Sequence, residues 1–318
     1  MKVVIIGGTG HIGTYLVPRL VDLGAEVTVV SRQKREPYQP HGAWKKVKHV
    51  LLDREKLEQQ NAFGEKIREV GSDVVIDLIC FTPESNRHLI KALRGHVRHF
   101  LHCGTIWTHG PSVEVPTTEA TPRKPFGDYG IQKAAIEADL LDEARRNNFP
   151  ATVLHPGHIV GPGWNPLNPA GHFNPKVFET LAGGEELALP NLGLETVHHV
   201  HADDVAQSFV KAALNWGNAV GESFHVVSPA ALTLRGYAEK MADFFGQEAR
   251  LEFLPWETWK KTVCDEEARS TWDHIAHSPN CSIEKAKRLL EYQPRHTSLE
   301  AVQESVHWLV GNKIINIS

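Results

Sequence analysis

A short apolar run, Val3-Val-Ile-Ile6, breaks directly into Gly7-Gly-Thr-Gly10-His-Ile-Gly13, and a second apolar run ends at Val30. A strand that turns through glycines into a helix suits one task above others. The backbone can approach a pyrophosphate without Cβ atoms in the way, and the helix N-terminus offers free amides and a positive dipole end. Gly7, Gly10, His11, Ile12 and Gly13 are therefore the expected contacts of a dinucleotide. The spacing is Gly-x-x-Gly-x-x-Gly, not the commoner Gly-x-Gly-x-x-Gly, and a purely structural turn is the competing explanation.

Further apolar runs follow at 47–52, 74–79, 100–103 and 151–154, with helix-sized segments between most of them. Strands buried on both faces read as continuous Val/Ile/Leu runs, and strands alternating with helices imply crossovers onto a parallel sheet. The expected fold is a doubly wound α/β domain whose last helix covers 129–147. Residues 156–175 then contain nine Gly or Pro, too many for a regular element, so the chain leaves the sheet there. Beyond it the pattern predicts helices at 175–182, 203–216, 234–245, 282–290 and 299–309, and strands at 195–201 and 223–227. The division that results is a nucleotide-binding domain of residues 1–163 with 197–229, and a smaller, mostly helical substrate domain of 164–196 with 230–318.

Composition narrows the partners. The 318 residues carry a net charge of −4, so no general field draws the chain to nucleic acid or an anionic membrane. No apolar run approaches the roughly 18 residues that span a bilayer. Cys80, Cys103, Cys264 and Cys281 lack Cys-x-x-Cys spacing, and no signal-peptide pattern follows Met1. A reduced cytoplasmic protein with a small-molecule partner is the expectation.

At the end of the second predicted strand, where NAD enzymes usually present a carboxylate to the ribose, stand Ser31 and Arg32, followed by Lys34 and Arg35. An arginine there can pair with a 2′-phosphate, which favours NADP over NAD. A solvated basic loop is the alternative. Asp53 is placed either to reach the adenine or to cap the next helix. Further on, Tyr129 and Lys133 share a helix face at i and i+4. A phenol with a pKa of about 10 is a poor base, and a neighbouring cation would shift it towards neutrality. Thr105, at the end of the fifth strand, can add a hydroxyl beside them.

Together these features resemble the extended short-chain dehydrogenase/reductase superfamily, and within it the NAD(P)-dependent epimerase/dehydratase family. Further landmarks are Leu154-His-Pro156-Gly157-His158-Ile-Val-Gly161-Pro162-Gly163, His201-Ala-Asp203-Asp204-Val205-Ala206 and the stretch 282–294. The resemblance implies that Thr105 orients a substrate oxygen and that Tyr129 is the acid/base. It also implies that Lys133 holds the nicotinamide ribose, and that Pro156 and His158 border the nicotinamide. A homodimer formed through the tyrosine helix is expected on the same ground. The resemblance leaves open an internal-redox sugar epimerase, a net NADPH-dependent reductase or dehydrogenase, and a non-catalytic relative that binds nucleic acid. Ile106 and Trp107 stand where dehydratases carry Asp-Glu, so dehydration fits worst.

The chain has His155 where the family commonly has Arg, and His158 where several nucleotide-sugar epimerases have Asn. A neutral imidazole lacks the guanidinium fork that clasps a diphosphate. Phe81, Trp107, His109, His158, His172 and His199 are the candidate substrate contacts, a lining suited to a compact sugar-like ring. His198-His199-x-His201 invites a metal reading. On a strand, however, His198 faces away from the other two, and no metal is expected.

Overall fold

The computed structural model of the chain describes residues 1–32 and 36–317. Lys34 and Arg35 of the predicted basic loop lie outside the described residues. The first part of the chain runs β1 (Lys2–Ile6), α1 (His11–Asp22), β2 (Glu26–Ser31), β3 (Lys48–Leu51), α2 (Arg54–Gln59), α3 (Phe63–Val70), β4 (Val74–Asp77), α4 (Pro83–Leu93), β5 (His99–Cys103), α5 (Gly127–Arg146) and β6 (Ala151–Pro156). Then come β7 (His158–Val160), α6 (Lys176–Ala182), β8 (Glu186–Pro190), β9 (Thr196–Val197), β10 (His199–His201), α7 (Ala202–Leu214), α8 (Trp216–Ala219) and β11 (Ser223–Val226). The remainder is β12 (Leu232–Thr233), α9 (Leu234–Phe244), β13 (Arg250–Leu254), α10 (Trp256–Trp259), α11 (Asp265–His277), α12 (Glu284–Leu290) and α13 (Ser298–Gly311).

Seven strands pair in parallel in the order β3-β2-β1-β4-β5-β6-β11. This is an α/β Rossmann-like sheet. Its strands alternate sides: Val3, Ile5, Val29 and Ile76 join one core, while Val4, Ile6, Val30 and Val75 join the other. Both faces are apolar, which is why the runs in the sequence are unbroken. Burying each such side chain contributes about 1.5–3 kcal/mol.

A second core gathers Phe178, Leu189, Tyr237, Met241, Trp259 and Val302 from the later elements. That region was expected to be mostly helical. The structure adds two-stranded pairings there, β9 with β12 and β8 with β13, and a third, β7 with β10, within residues assigned to the nucleotide-binding domain. The run predicted as one strand at 195–201 is split: β9 pairs antiparallel with β12 and β10 pairs parallel with β7, so the chain changes partner at His198. Cys281, Ile283, Ala286, Leu290 and Tyr292 pack into the sheet's core, not the second one.

Candidate active site

The glycine turn is closely packed. Gly7 adopts φ +84°, and a Cβ on Gly13 would lie 2.0 Å from the Gly8 carbonyl oxygen, so α1 can seat on the turn only without that atom. A Cβ on Gly10 would press on the Gly7 carbonyl oxygen at 3.3 Å, so a side chain there would push the turn's backbone aside. No side chain caps α1. Its first-turn amides, at His11, Ile12 and Gly13, therefore have no partner within the helix. The imidazole of His11 stacks on Trp164 at 4.9 Å and meets Tyr38 edge-on at 5.7 Å. Burial, and then His201, push its pKa down to about 3, so the ring is neutral, and both its nitrogens are buried without a protein partner. An uncapped helix start, a glycine turn and an unpartnered imidazole fit a pyrophosphate group. Ser31 ends β2 and the exposed Arg32 follows it. Asp53 accepts from the Lys56 amide at 3.3 Å and caps α2.

Thr105 sits just beyond β5, where its Oγ1 accepts from the Trp107 amide at 3.3 Å and starts a short 3₁₀ turn. Helix α5 buries Gly130, Lys133, Ile136, Glu137 and Leu140, so its inner face carries two ionisable groups among apolar ones. Lys133 donates from Nζ to the carbonyls of Cys80 and Cys103, both at 2.7 Å, and lies 5.9 Å from the centre of the Tyr129 ring. The sequence led us to expect that this cation would bring the phenol towards neutrality. Instead, burial pushes Tyr129 up to about 12, the Cys103 thiol adds to the rise, and a hydrogen bond with Thr105 only partly opposes it. The ammonium points at carbonyls and the phenol keeps its proton. Burial also pushes the Cys103 thiol up to about 11, which makes it a packing residue and not a nucleophile.

Behind Thr105 lies a polar chain that the sequence did not reveal. The Thr105 amide donates to His155 Nδ1 at 3.0 Å, and His155 Nε2 faces Glu137 at 3.0 Å. Glu137 receives both Nη2 and Nε of Arg123, at 2.6 and 2.9 Å. Burial alone would raise the Glu137 pKa, but His155 and the guanidinium hold it well below the usual carboxylate range.

In front of Thr105 opens a cavity of about 480 Å³. Thr105, Trp107, Tyr129 and His158, four of the candidate site residues, line it together with Trp164 and Phe173. Trp107 is held by a stacked His277 at 4.2 Å and presents edges to Tyr129 and His274. One wall, Ser270, Asp273 and His274, comes from α11, a helix the sequence pattern missed. Its buried face is Thr271, His274, Ile275 and His277, too polar to show apolar periodicity. The readable signal was at its start, where Cys264 and Glu267 form a capping box and Asp265, Glu266 and Glu267 fill the first turn.

Other expected substrate contacts stand elsewhere. His109 is buried against His225, Nε2 to Nε2 at 2.7 Å, away from the cavity lining. Phe81 covers Lys133 at 4.9 Å. His199 bonds the Leu167 carbonyl at 3.1 Å, and His172 Nδ1 accepts from the Asn174 amide at 3.2 Å. These two fix the loop that bears Leu167 and Phe173 without facing the cavity. Pro156 is buried at the end of β6, paired with Val226. The three clustered histidines diverge: His198 bonds the Ser228 carbonyl, His199 that of Leu167, and His201 accepts from the Asp203 amide. His201, His296 and Glu304 bring ligand-type atoms within 4.8 Å. Because His201 Nδ1 is an acceptor, its Nε2 carries the ring proton and faces Glu304 at 3.1 Å, a hydrogen-bonding arrangement and not a free lone pair.

The parallel sheet, the glycine turn and the Thr-Tyr-Lys cluster define the extended short-chain dehydrogenase/reductase architecture. The chain belongs to the NAD dependent epimerase/dehydratase family, whose sequence model matches residues 3–226. A 2′-dehydrokanamycin reductase of Streptomyces kanamyceticus is 25% identical over 86% of this chain and 76% of its own. The chloroplast stem-loop binding protein of 41 kDa b from Arabidopsis thaliana is 24% identical over 96% and 78%. The crystal structure of UDP-glucose 4-epimerase from Thermotoga maritima with UDP-glucose superposes with a TM-score of 0.74 at 19% identity, covering 98% of this chain and all of that one. No helix among the described residues is long and apolar enough to cross a membrane.

Proposed function

We propose that the chain is an NAD(P)-dependent oxidoreductase or epimerase that exchanges a hydride at a hydroxyl-bearing carbon of a sugar or sugar derivative. What carries the reading is that Thr105 and Tyr129 line one cavity beside an uncapped, glycine-started helix. The nicotinamide, when bound, supplies the hydride chemistry. Thr105 would donate to the substrate oxygen and Tyr129 would pass it a proton. Lys133, turned from its two carbonyls, would hold the ribose. Gly7, Gly10, His11, Ile12 and Gly13 would hold the pyrophosphate. NADP is preferred over NAD in this reading, because Ser31 and Arg32 stand where a ribose-binding carboxylate would. The family's sugar enzymes support a small sugar-like substrate, and a cytoplasmic homodimer paired through α5 completes the proposal.

Net reduction is the second reading, supported by the likeness to a 2′-dehydrokanamycin reductase. In that direction Tyr129, whose phenol keeps its proton, would give it to a carbonyl oxygen. The test is to incubate purified protein with NADP+ or NAD+, and separately with NADPH or NADH, and a panel of aldoses, ketoses and sugar derivatives, following cofactor absorbance and product configuration. Epimer formation without net cofactor change supports the first reading, and stoichiometric NADPH loss the second. A protein that binds neither cofactor overturns both.

A further inference from the structure

The cavity's chemistry is one-sided. Trp107, Trp164, Phe173 and Tyr129 supply aromatic surface, and its two imidazoles, His158 and His274, are uncharged: burial first, and then neighbouring histidines, hold His158 well below its ordinary pKa, and burial pushes His274 down to about 4. Lys133 is the nearest cation on the catalytic helix, but it is buried, covered by Phe81, and its ammonium donates to two backbone carbonyls. Among the described lining residues none is Lys or Arg, and the only formally charged one is Asp273, on the exposed side of α11 one turn after Ser270.

Such a lining discriminates by charge. A phosphate or diphosphate entering it would find no cation or guanidinium fork and would meet a carboxylate of its own sign. A protonated amine would find a carboxylate together with indole and phenyl rings, whose faces attract cations. A sugar ring would stack on the same surfaces, and about 480 Å³ suits one or two rings without a nucleotide attached.

We propose that this cavity selects an amino sugar, its ammonium group held against Asp273 over the aromatic lining, and disfavours phosphorylated and nucleotide-linked sugars. The inference rests on the sugar-active reading above and narrows it. Asp273 is the specificity-determining residue in this account. It does no chemistry: the reacting carbon belongs beside Thr105 and Tyr129.

The experiment measures binding of glucosamine, glucose, glucose 6-phosphate and UDP-glucose to the full chain in the presence of NADP, at low salt. Calorimetry is the readout, with quenching of tryptophan fluorescence as a second signal from Trp107 and Trp164. Glucosamine should bind about tenfold more tightly than glucose, the factor that one cation-recognition contact supplies, and both phosphorylated ligands should bind more weakly than glucose. Asp273→Asn should erase the advantage of glucosamine and leave glucose unaffected. Added salt should shrink the advantage in the wild-type chain. Tighter binding of UDP-glucose or glucose 6-phosphate than glucose overturns the proposal, as does equal or absent binding of glucosamine and glucose. An amine preference unchanged in Asp273→Asn does the same. Cofactor binding, followed in parallel by NADPH fluorescence, separates the two levels: if it persists while the amine preference fails, only this inference falls.

Discussion

The backbone amide of Thr105 donates to Nδ1 of His155 at 3.0 Å. Through that ring the hydroxyl-bearing residue beyond β5 is tied to Glu137, two helical turns beyond Tyr129 on α5. The contact is tight enough that a Cβ on Gly104 would fall 2.4 Å from the same nitrogen. Where the family commonly has an arginine, this chain uses an imidazole that can both accept from Thr105 and face the carboxylate. The guanidinium comes from Arg123 instead.

His155→Phe keeps a planar ring but removes the acceptor. Small displacements of reacting groups cost up to about a hundredfold in rate. We expect kcat to fall tenfold to a hundredfold while NADPH affinity stays within twofold. An equal loss of both would mean that the ring only holds the fold.

Removing one member of the buried Glu137–Arg123 pair leaves the other uncompensated. Arg123 is 22% exposed at its side chain and Glu137 only 4%. Glu137→Ala should lower unfolding free energy by about 3 kcal/mol, at the low end for such pairs, as read from urea denaturation. A loss below about 1 kcal/mol would show that the network is already wet.

Tyr129→Phe removes the proton donor and nothing else that touches the cofactor turn. Turnover should drop by about 10² to 10⁴, with cofactor affinity nearly unchanged. Lys133→Ala should damage both quantities. Stopped-flow reduction and NADPH fluorescence measure them separately.

Arg32→Ala tests the nucleotide preference. Charge-assisted hydrogen bonds to a phosphate are worth about 1.5–3 kcal/mol, so NADP affinity should fall about 10- to 100-fold while NAD affinity barely moves. An unaltered NADP-to-NAD ratio would remove the case for the 2′-phosphate.

Acid sensitivity follows from the histidines. Burial pushes His198 and His99 down to about 4 and His199 to about 3, and it holds His102 and His225 well below their ordinary value. Unfolded, each would titrate near 6.5, so between those limits the unfolded chain binds protons that the folded chain refuses. Stability is therefore full above pH 6.5 and is lost as pH falls below it, by up to about 1.4 kcal/mol per pH unit for each such ring. His296 runs the other way, raised by its bond to Asp204. Urea titrations at pH 7.5, 6.5, 5.5 and 4.5 should show a steep decline before most carboxylates titrate, and a flat profile would contradict the burial of these rings.

The sheet was legible because its strands are buried on both faces and appear as unbroken apolar runs, and the glycine turn because only glycines permit its packing. Thr105, Trp107, Tyr129 and His158 could be placed at one site because each follows or starts a readable element. The α11 wall was hidden because Thr271, His274 and His277 form a buried face without apolar spacing. His109 and His199 stand off the cavity lining for a related reason: residue type shows that an imidazole is unusual, but not whether it meets a ligand or a carbonyl. The split at His198 depended on two partner strands, β7 and β12, distant in sequence.

The sheet's outermost strand on the β6 side is also the last to be made. Until Ser223–Val226 docks, β6 presents a bare row of amides and carbonyls to the crowded interior of a cell. The whole stretch from β7 to α8 must leave the ribosome before that edge is covered. Premature termination anywhere in it would yield a sticky intermediate, not a smaller working domain.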